Sequence, residues 1–278
     1  MNKKLLALYG LKYNPFSSEL PIEALHTTAK IDSFLWRVEN QVGEGGFCLV
    51  TGEPGTGKSV ILRLLSSRLA SLHDVTAGVL TRPQASAADF YRELGYLFGV
   101  ELSPHNRWRG AQALRERWLA HIESSLFRPV LLVDEGQEMQ PGVLGELRLL
   151  SSTDLDARSI LTVVLSGDRR LAEKLRTPEL LPLGSRIRVR LTTEYAGRDE
   201  LAACLKHVLR QAGSPKLVTD ELASTLCEHA AGNYRVLMNL GHELLLGAVE
   251  REAESLDEKL FFEVFSLPET RPRKVRAR

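Results

Sequence analysis

The chain has 278 residues, of which 44% are hydrophobic and 26% are charged, and its formal net charge is +1. This composition is typical of a globular protein and excludes disordered, collagen-like and low-complexity chains. Its apolar runs are far shorter than the roughly 18 to 20 residues that a membrane helix needs, and the N-terminus carries no signal-peptide pattern. We therefore expect a cytoplasmic protein without membrane contact.

Through the first two thirds of the chain, short apolar runs rich in Val, Ile and Leu alternate with longer amphipathic stretches. This alternation is typical of βαβ units around a buried parallel sheet, and it predicts an α/β domain. The predicted strands are Gly46–Thr51, Val75–Thr81, Val130–Asp134, Ile160–Ser166 and Ile187–Leu191.

The strand-like runs stop after Thr193, and the remaining sequence has helical periodicity broken by Gly, Pro and Asn. We expect this last third to form a small all-helical domain. The predicted helices are Asp199–Ala212, Asp220–Ala230, Tyr234–Glu254 and a short one at Asp257–Phe265.

Charge is unevenly distributed along the chain. Five of the 36 Lys and Arg residues lie in the last eight positions, which hold no acid, so residues 1–270 carry 31 basic against 35 acidic side chains. Such a basic tail can contact the phosphates of a polyanion such as DNA, and a solvated, unstructured end is the alternative.

The cysteines are three in number, widely spaced, and embedded in apolar or helical sequence: Cys48, Cys204 and Cys227. This pattern favours buried, reduced thiols over a disulfide framework. A zinc site with His207 and His229 is the alternative, but Cys227 and His229 are two residues apart and would point to different faces of a helix.

A phosphate-binding loop is the strongest motif. Gly52–Ser59 is a complete match to G-x-x-x-x-G-K-[ST], between a predicted strand and an amphipathic helix, so backbone N–H groups and a helix N-terminus converge on an anion. We expect Lys58 to reach the β- and γ-phosphates of a nucleotide and Ser59 to ligate Mg²⁺. A glycine-rich turn without a ligand is the alternative. The candidate binding residues here are Gly52, Glu53, Pro54, Gly55, Thr56, Gly57, Lys58, Ser59 and Val60.

Two adjacent carboxylates, Asp134 and Glu135, lie at the C-terminal end of the predicted strand Val130–Asp134. In a parallel sheet this end of a strand faces the ligand crevice. We expect Asp134 to hold Mg²⁺ through water, and Glu135 to orient and deprotonate the attacking water. The presence of both acids predicts hydrolysis as well as binding.

Together, the loop, the acid-ended strand and the helical last third resemble AAA+ ATPases. Tyr9–Phe16, Asp134–Gln137 and Gly232–Arg235 are similar to the bacterial group that contains the ExeA/GspA secretion ATPases and the TniB and Mu B type transposition ATPases. Gly136 departs from this group, which usually has alanine there. The resemblance implies a P-loop αβα sandwich with a parallel sheet, a helical lid, and ATP and Mg²⁺ as cofactors.

We predict four segments on this basis. They are residues 1–40, an N-terminal segment packing on the core; 41–194, the nucleotide-binding α/β domain; 195–267, the helical lid; and 268–278, a basic and unstructured tail.

The resemblance also implies further site residues. The polar sensor-1 residue near the γ-phosphate corresponds to Ser166 or Asp168, and Asp168 could instead cap a helix beginning at Arg169. Arg235, at the start of a lid helix, corresponds to the sensor-2 arginine that touches the nucleotide.

An arginine finger is implied as well. Arg186 corresponds to the residue that reaches a neighbouring subunit's ATP, and Arg188 and Arg190 are rivals for this role. The three alternate with apolar residues, so a solvated basic stripe on one strand face is the other interpretation.

As a function, the resemblance implies an ATPase, converting ATP and water to ADP and phosphate, that assembles with ATP into a ring or helical filament on double-stranded DNA without reading sequence. It would recruit or stimulate a transposase and disassemble on hydrolysis. We expect this role because the chain stops at Arg278, without the membrane helix and peptidoglycan-binding domain of the ExeA type. An ExeA/GspA-like secretion role and a non-hydrolysing nucleotide switch are the alternatives.

One Arg-rich stretch is a candidate DNA contact, because aromatic and basic side chains stack on and pair with nucleic acid. The surface of an ordinary amphipathic helix has the same pattern. The stretch contains Arg107, Trp108, Arg109, Arg115, Arg117 and Trp118.

Overall fold

A computed structural model describes residues 2–101, 107–154 and 157–265 of the chain. They form two compact units, one from Leu25 to Tyr195 and one made of the chain up to Ala24 together with the chain from Ala196 onward. Across the described ranges, every helix is too short or too polar to cross a bilayer. The basic tail predicted at 268–278 lies outside the described residues.

The strands belong to the α/β unit. They are β1 (Gly46–Gly52), β2 (Ala77–Leu80), β3 (Val130–Val133), β4 (Ser152–Thr153), β5 (Arg158–Ser159), β6 (Thr162–Gly167) and β7 (Ile187–Thr193). Five of them form a parallel sheet in the order β2-β3-β6-β1-β7, whereas β4 and β5 form an antiparallel pair. Each predicted strand corresponds to a strand of the sheet. The β4–β5 pair was not predicted, because two-residue strands are too short to show an alternating pattern.

The helices up to β7 are α1 (Asn2–Tyr9), α2 (Ala29–Gln41), α3 (Lys58–Ser71), α4 (Ala87–Phe98), α5 (Arg107–Ser125), α6 (Pro141–Leu150), α7 (Arg169–Lys174) and α8 (Leu181–Gly184). One sheet face packs with α4 to α8 in a core that includes Phe47, Leu131 and Trp118. On the other side α2 and α3 contact the sheet, and Ile61 and Leu65 of α3 are fully buried. Coverage on both faces explains why the central strands are continuously apolar. The predicted αβα class is therefore confirmed.

The helical unit contains α9 (Arg198–Ala212), α10 (Asp220–Ala230), α11 (Tyr234–Arg251) and α12 (Glu258–Phe265), and these helices follow the predicted bounds closely. Their apolar faces form a second hydrophobic core, in which Leu205, Leu226 and Leu244 are at most 1% exposed. Amphipathic helices of this length are stable because they share such a core.

The N-terminal segment predicted at residues 1–40 divides between the two units, with the chain up to Ala24 in the helical unit and the chain from Leu25 in the α/β unit. Tyr9, Leu11 and Phe16 belong to the core of the helical unit. The Tyr9 hydroxyl donates to the carbonyl of Ala253 at 2.8 Å, and a Cβ placed on Gly241 would lie 2.4 Å from the Phe16 ring. Apolar side chains from this part of the N-terminal segment thus help to fill the helical core.

Candidate nucleotide site

The phosphate-binding loop joins β1, which ends at Gly52, to α3, which begins at Lys58. Gly55 and Gly57 have φ of +82° and +94°, a left-handed conformation that glycine adopts without strain. No side chain caps the N-terminus of α3 within the described residues. The first N–H groups of the helix therefore remain as donors to an anion.

Lys58 lies across the loop. Its ammonium group donates to the carbonyls of Gly52 at 2.9 Å and Glu53 at 3.0 Å, and the residue is 7% exposed. An ammonium has three N–H donors, so two hold the loop and the third can reach a phosphate oxygen. This placement suits the phosphate-binding role predicted for Lys58.

The end of β7 supports the same loop. The hydroxyls of Thr56 and Thr193 are 2.6 Å apart, and Thr56 also donates to the carbonyl of Glu53 at 2.8 Å. A Cβ on Gly52 would lie 1.9 Å from Thr193 Oγ1, so this close packing requires glycine at position 52. Sequence reasoning missed Thr193, because nothing in the motif predicts which strand end lies beside the loop.

The carboxylate of Asp134 lies at the end of β3. Its Oδ1 accepts from Ser166 Oγ and from the backbone N–H of Glu135, both at 2.9 Å. Because β3, β6 and β1 are adjacent parallel strands, Asp134, Ser166 and the phosphate-binding loop lie at the same edge of the sheet.

Glu135 has an unusual backbone for a residue with a side chain. Its φ of +51° and ψ of +39° are left-handed, and it starts a 3-10 turn at Gly136–Glu138. Its exposed side chain accepts a hydrogen bond from the amide of Gln137. Non-glycine residues in this region are uncommon and are found preferentially at functional sites.

The two sensor-1 candidates have different surroundings. Ser166 is 0% exposed and faces Asp134. Asp168 instead begins α7, where its Oδ1 accepts from the backbone N–H of Arg170 at 2.8 Å. The Arg170 guanidinium also bonds Asp168 and is the main reason that the pKa of this carboxyl is lowered. Asp168 thus makes the contacts of a helix cap, which is the alternative interpretation of this residue in the sequence analysis.

The three candidate finger arginines flank or occupy β7. Arg186 donates to the carbonyl of Pro182, and Arg190 donates to that of Gly184 at 2.8 Å. Arg188 pairs with Glu44 at 3.0 Å, and both side chains are more than half exposed. A role toward a neighbouring subunit remains a prediction for each.

Arg235 belongs to the helical unit. It lies in the first turn of α11 and is exposed, and the side chain of Asn233 caps this turn by accepting from the N–H groups of Arg235 and Val236 at 3.0 and 3.2 Å. The sensor-2 assignment remains a prediction.

Ser59 and Asp134 are the residues that could hold Mg²⁺. Hydroxyl and carboxylate oxygens are the hard ligands that Mg²⁺ prefers, usually alongside waters and substrate phosphates. Ser59 is exposed in the first turn of α3, and among the described residues the Oδ2 atom of Asp134 accepts no hydrogen bond. The residues present therefore fit this ion.

The candidate DNA contact on α5 is only partly at the surface. Trp118 is 1% exposed and packs edge-to-face on Phe98 with ring centroids 5.3 Å apart, so of the two interpretations the ordinary helix residue holds for Trp118. Arg115 bonds the carbonyl of Leu149. Trp108, in contrast, is 76% exposed, and Arg109 beside it is also exposed.

Comparison with known proteins shows similarity to a domain family and to a secretion-pathway protein. Residues 40–175 match the sequence model of the AAA domain family. General secretion pathway protein A of Aeromonas hydrophila is 28% identical over 254 residues, covering 89% of this chain and 45% of that protein. The chain therefore spans less than half the length of this relative.

Solved structures resemble the chain over most of its length. Cdc6p of Pyrobaculum aerophilum has a TM-score of 0.68 at 13% identity, covering 87% of this chain and 67% of its own. For Drosophila ORC bound to DNA the TM-score is 0.69 at 18% identity, and the match covers 94% of this chain and 65% of the ORC chain. The RuvB Holliday junction branch migration motor of Thermotoga maritima has a TM-score of 0.60 at 16% identity, and the match covers 86% of this chain and 68% of the RuvB chain. The chain thus has a P-loop AAA+ fold with a helical C-terminal part.

Proposed function

We propose that this chain is an ATPase that binds ATP with Mg²⁺ at Gly52–Ser59 and hydrolyses it with Glu135. The observation that carries the proposal is the convergence of the loop, Asp134 and Ser166 at one edge of the sheet, with Ser166 Oγ 2.9 Å from Asp134 Oδ1. The match to the AAA domain family supports it.

In this mechanism the α3 N-terminus and Lys58 bind the phosphates, which positions the γ-phosphorus for in-line attack. Glu135 accepts a proton from the attacking water as the new P–O bond forms and the bond to the ADP oxygen breaks. Mg²⁺, held by Ser59 and Asp134, would neutralise charge on the phosphate oxygens. Ser166 fixes the direction of the Asp134 carboxylate.

We further propose that nucleotide controls self-assembly into a ring or helical filament. If Arg186 reaches the ATP of a neighbouring subunit, ATP contributes to the contact between subunits, and hydrolysis removes that contribution. Arg235 would contact the same nucleotide from the lid.

For the cellular role, we propose assembly on double-stranded DNA in the cytoplasm, with recruitment or stimulation of a transposase. The structural similarity to Drosophila ORC bound to DNA and to the RuvB Holliday junction branch migration motor supports DNA as the partner. Exposed Trp108 and Arg109 offer stacking and phosphate contacts. The three free, buried cysteines favour a reducing compartment.

A secretion-associated role is the second candidate, because General secretion pathway protein A is similar over 89% of this chain. A nucleotide switch without turnover is the third. Phosphate release measured with and without duplex DNA separates them: DNA-stimulated turnover supports the first, DNA-independent turnover the second, and nucleotide binding without turnover the third.

The Glu135→Gln variant tests assembly directly. It should retain ATP and stay assembled, because the ligand that links subunits is no longer cleaved. We would measure mass by light scattering with ATP, using Glu179→Gln, an exposed glutamate outside the site, as the matched control. A Glu135→Gln protein that binds ATP but stays monomeric would contradict assembly through Arg186.

A further inference from the structure

Gln137 connects two parts of the candidate site and has no role in the mechanism above. Its side chain is buried, with the residue 6% exposed. The amide nitrogen donates to Oε2 of Glu135, and the amide oxygen accepts from the backbone N–H of Asp168 at 3.1 Å. One side chain therefore joins the acid after β3 to the segment after β6.

An amide suits both partners. The Glu135 carboxylate accepts hydrogen bonds and the Asp168 N–H donates one, so the group between them must donate at one end and accept at the other. Glutamate at position 137 would lose the donor, and methionine would lose both groups. Asparagine has both groups but is one methylene shorter.

The surroundings hold this amide in place. The backbone carbonyl of Gln137 accepts from the Lys174 ammonium at 2.6 Å, which fixes the 3-10 turn against α7. A Cβ on Gly167 would lie 2.5 Å from the amide oxygen of Gln137, so glycine at 167 leaves the space that the amide fills. The contact between the two segments thus depends on residues from both strand ends.

Glu135 needs such a partner. It is exposed, and a glutamate side chain in solvent has several rotamers of similar energy. A hydrogen bond from a buried amide selects among these rotamers. A general base loses rate steeply when its carboxylate is displaced by about 1 Å.

We infer that Gln137 is a positioning residue, which directs the Glu135 carboxylate toward the attacking water and couples its direction to the segment Ser166–Asp168. This inference rests on the ATP hydrolysis proposed above. It assigns a role to a residue through its hydrogen bonds to Glu135 and Asp168.

Steady-state ATP hydrolysis and ATP-analogue binding of Gln137→Met, Gln137→Glu and Gln137→Asn test the inference. Gln137→Met should lower kcat on the order of 100-fold while the nucleotide Kd stays near wild type, with a lower Tm because the Asp168 N–H loses its acceptor. Gln137→Glu keeps the acceptor for Asp168 but faces Glu135 with a like charge, so its kcat should fall at least as far. Gln137→Asn should recover part of the rate. Gln140→Met, the same change at an exposed glutamine, is the control.

The possible outcomes are distinguishable. A Gln137→Glu protein with wild-type kcat would mean that only the bond to Asp168 matters, and the inference would be wrong. Loss of kcat, Kd and Tm together in Gln137→Met would show a purely structural role and would also overturn it. A wild-type protein that binds ATP without releasing phosphate would instead remove the proposed function, and the inference with it.

Discussion

Ser166 Oγ donates a 2.9 Å hydrogen bond to Asp134 Oδ1, across two neighbouring parallel strands whose register pairs Val133 with Leu165. With the N–H of Glu135 on the same oxygen, this bond fixes the plane of the carboxylate and leaves Oδ2 for a metal-bound water. The contact joins residues that are 32 positions apart in the chain.

Ser166→Ala and Asp168→Ala should therefore have different effects. We expect Ser166→Ala to lower kcat about tenfold or more, because Asp134 loses one of its two fixing bonds. Asp168→Ala should instead destabilise the fold by about 1 kcal/mol, the usual loss for a helix cap, with a smaller change in rate. Urea unfolding and phosphate release measure the two effects. If Asp168→Ala abolishes turnover in a folded protein while Ser166→Ala retains it, the sensor-1 role belongs to Asp168.

Lys58→Ala should weaken ATP binding by about 100-fold or more, because charge-assisted hydrogen bonds to phosphate are lost. A fluorescent ATP analogue, titrated at millimolar Mg²⁺, measures the change. Lys58 also bonds two loop carbonyls, so the Tm is recorded alongside. Lys30→Ala, at an exposed position of α2, is the control and should bind like wild type. Unchanged affinity in Lys58→Ala would place the nucleotide elsewhere.

Arg186→Ala should bind ATP but hydrolyse it slowly, since an arginine finger acts on the transition state and its loss can cost 10³-fold or more. Mixing Arg186→Ala with Lys58→Ala should restore part of the activity, because some interfaces then pair an intact loop with an intact arginine. Arg188→Ala tests the rival position: if Arg186 is the finger, this variant loses an exposed pair with Glu44 and should keep near-wild-type turnover. A mixture as inactive as its components would argue against action between subunits.

The thiols should be unreactive in the native protein. Burial raises the pKa of Cys48 and of Cys204 to about 12, and it also raises that of Cys227. At pH 8 the reactive thiolate is therefore scarce as well as inaccessible. A colorimetric disulfide reagent should label no thiol before urea is added and three per chain afterwards. Rapid labelling without urea would show that a cysteine is exposed.

The same shifts make stability depend on alkaline pH. Each thiol keeps its proton in the fold to a higher pH than in the unfolded chain, where the pKa is about 8.5. The stabilisation is therefore complete below about pH 8.5 and declines as the pH rises toward 12. Cys48→Ala should reduce this decline, as measured by urea unfolding between pH 7 and pH 10.

Local patterns were sufficient for the strands and for the phosphate-binding loop. A buried parallel strand needs a continuous apolar run, and a loop that wraps a phosphate needs glycines at left-handed positions, so Val130–Val133 and Gly52–Ser59 are recognisable without neighbours. The two acids after β3 were identified for the same reason. Their position at the ligand edge follows from parallel topology.

Contacts between distant segments could not be predicted from local sequence patterns. Tyr9, Leu11 and Phe16 are evidently apolar, but that pattern does not say which core they enter, and the helical unit receives them. The same ambiguity applies to Trp118, because a tryptophan among arginines can stack on DNA or fill a core. In the structure it packs on Phe98.

The sequence was thus sufficient to identify the candidate site residues, because a lysine after glycines and a pair of carboxylates have the same chemical groups wherever they lie. The spatial arrangement of these residues could be determined only from the tertiary structure. The bond between Ser166 and Asp134, the hydroxyl of Thr193 beside Thr56, and the bridge of Gln137 to Asp168 all join residues at least 31 positions apart. Such pairs meet only through strand order and register, which depend on the packing of the whole sheet.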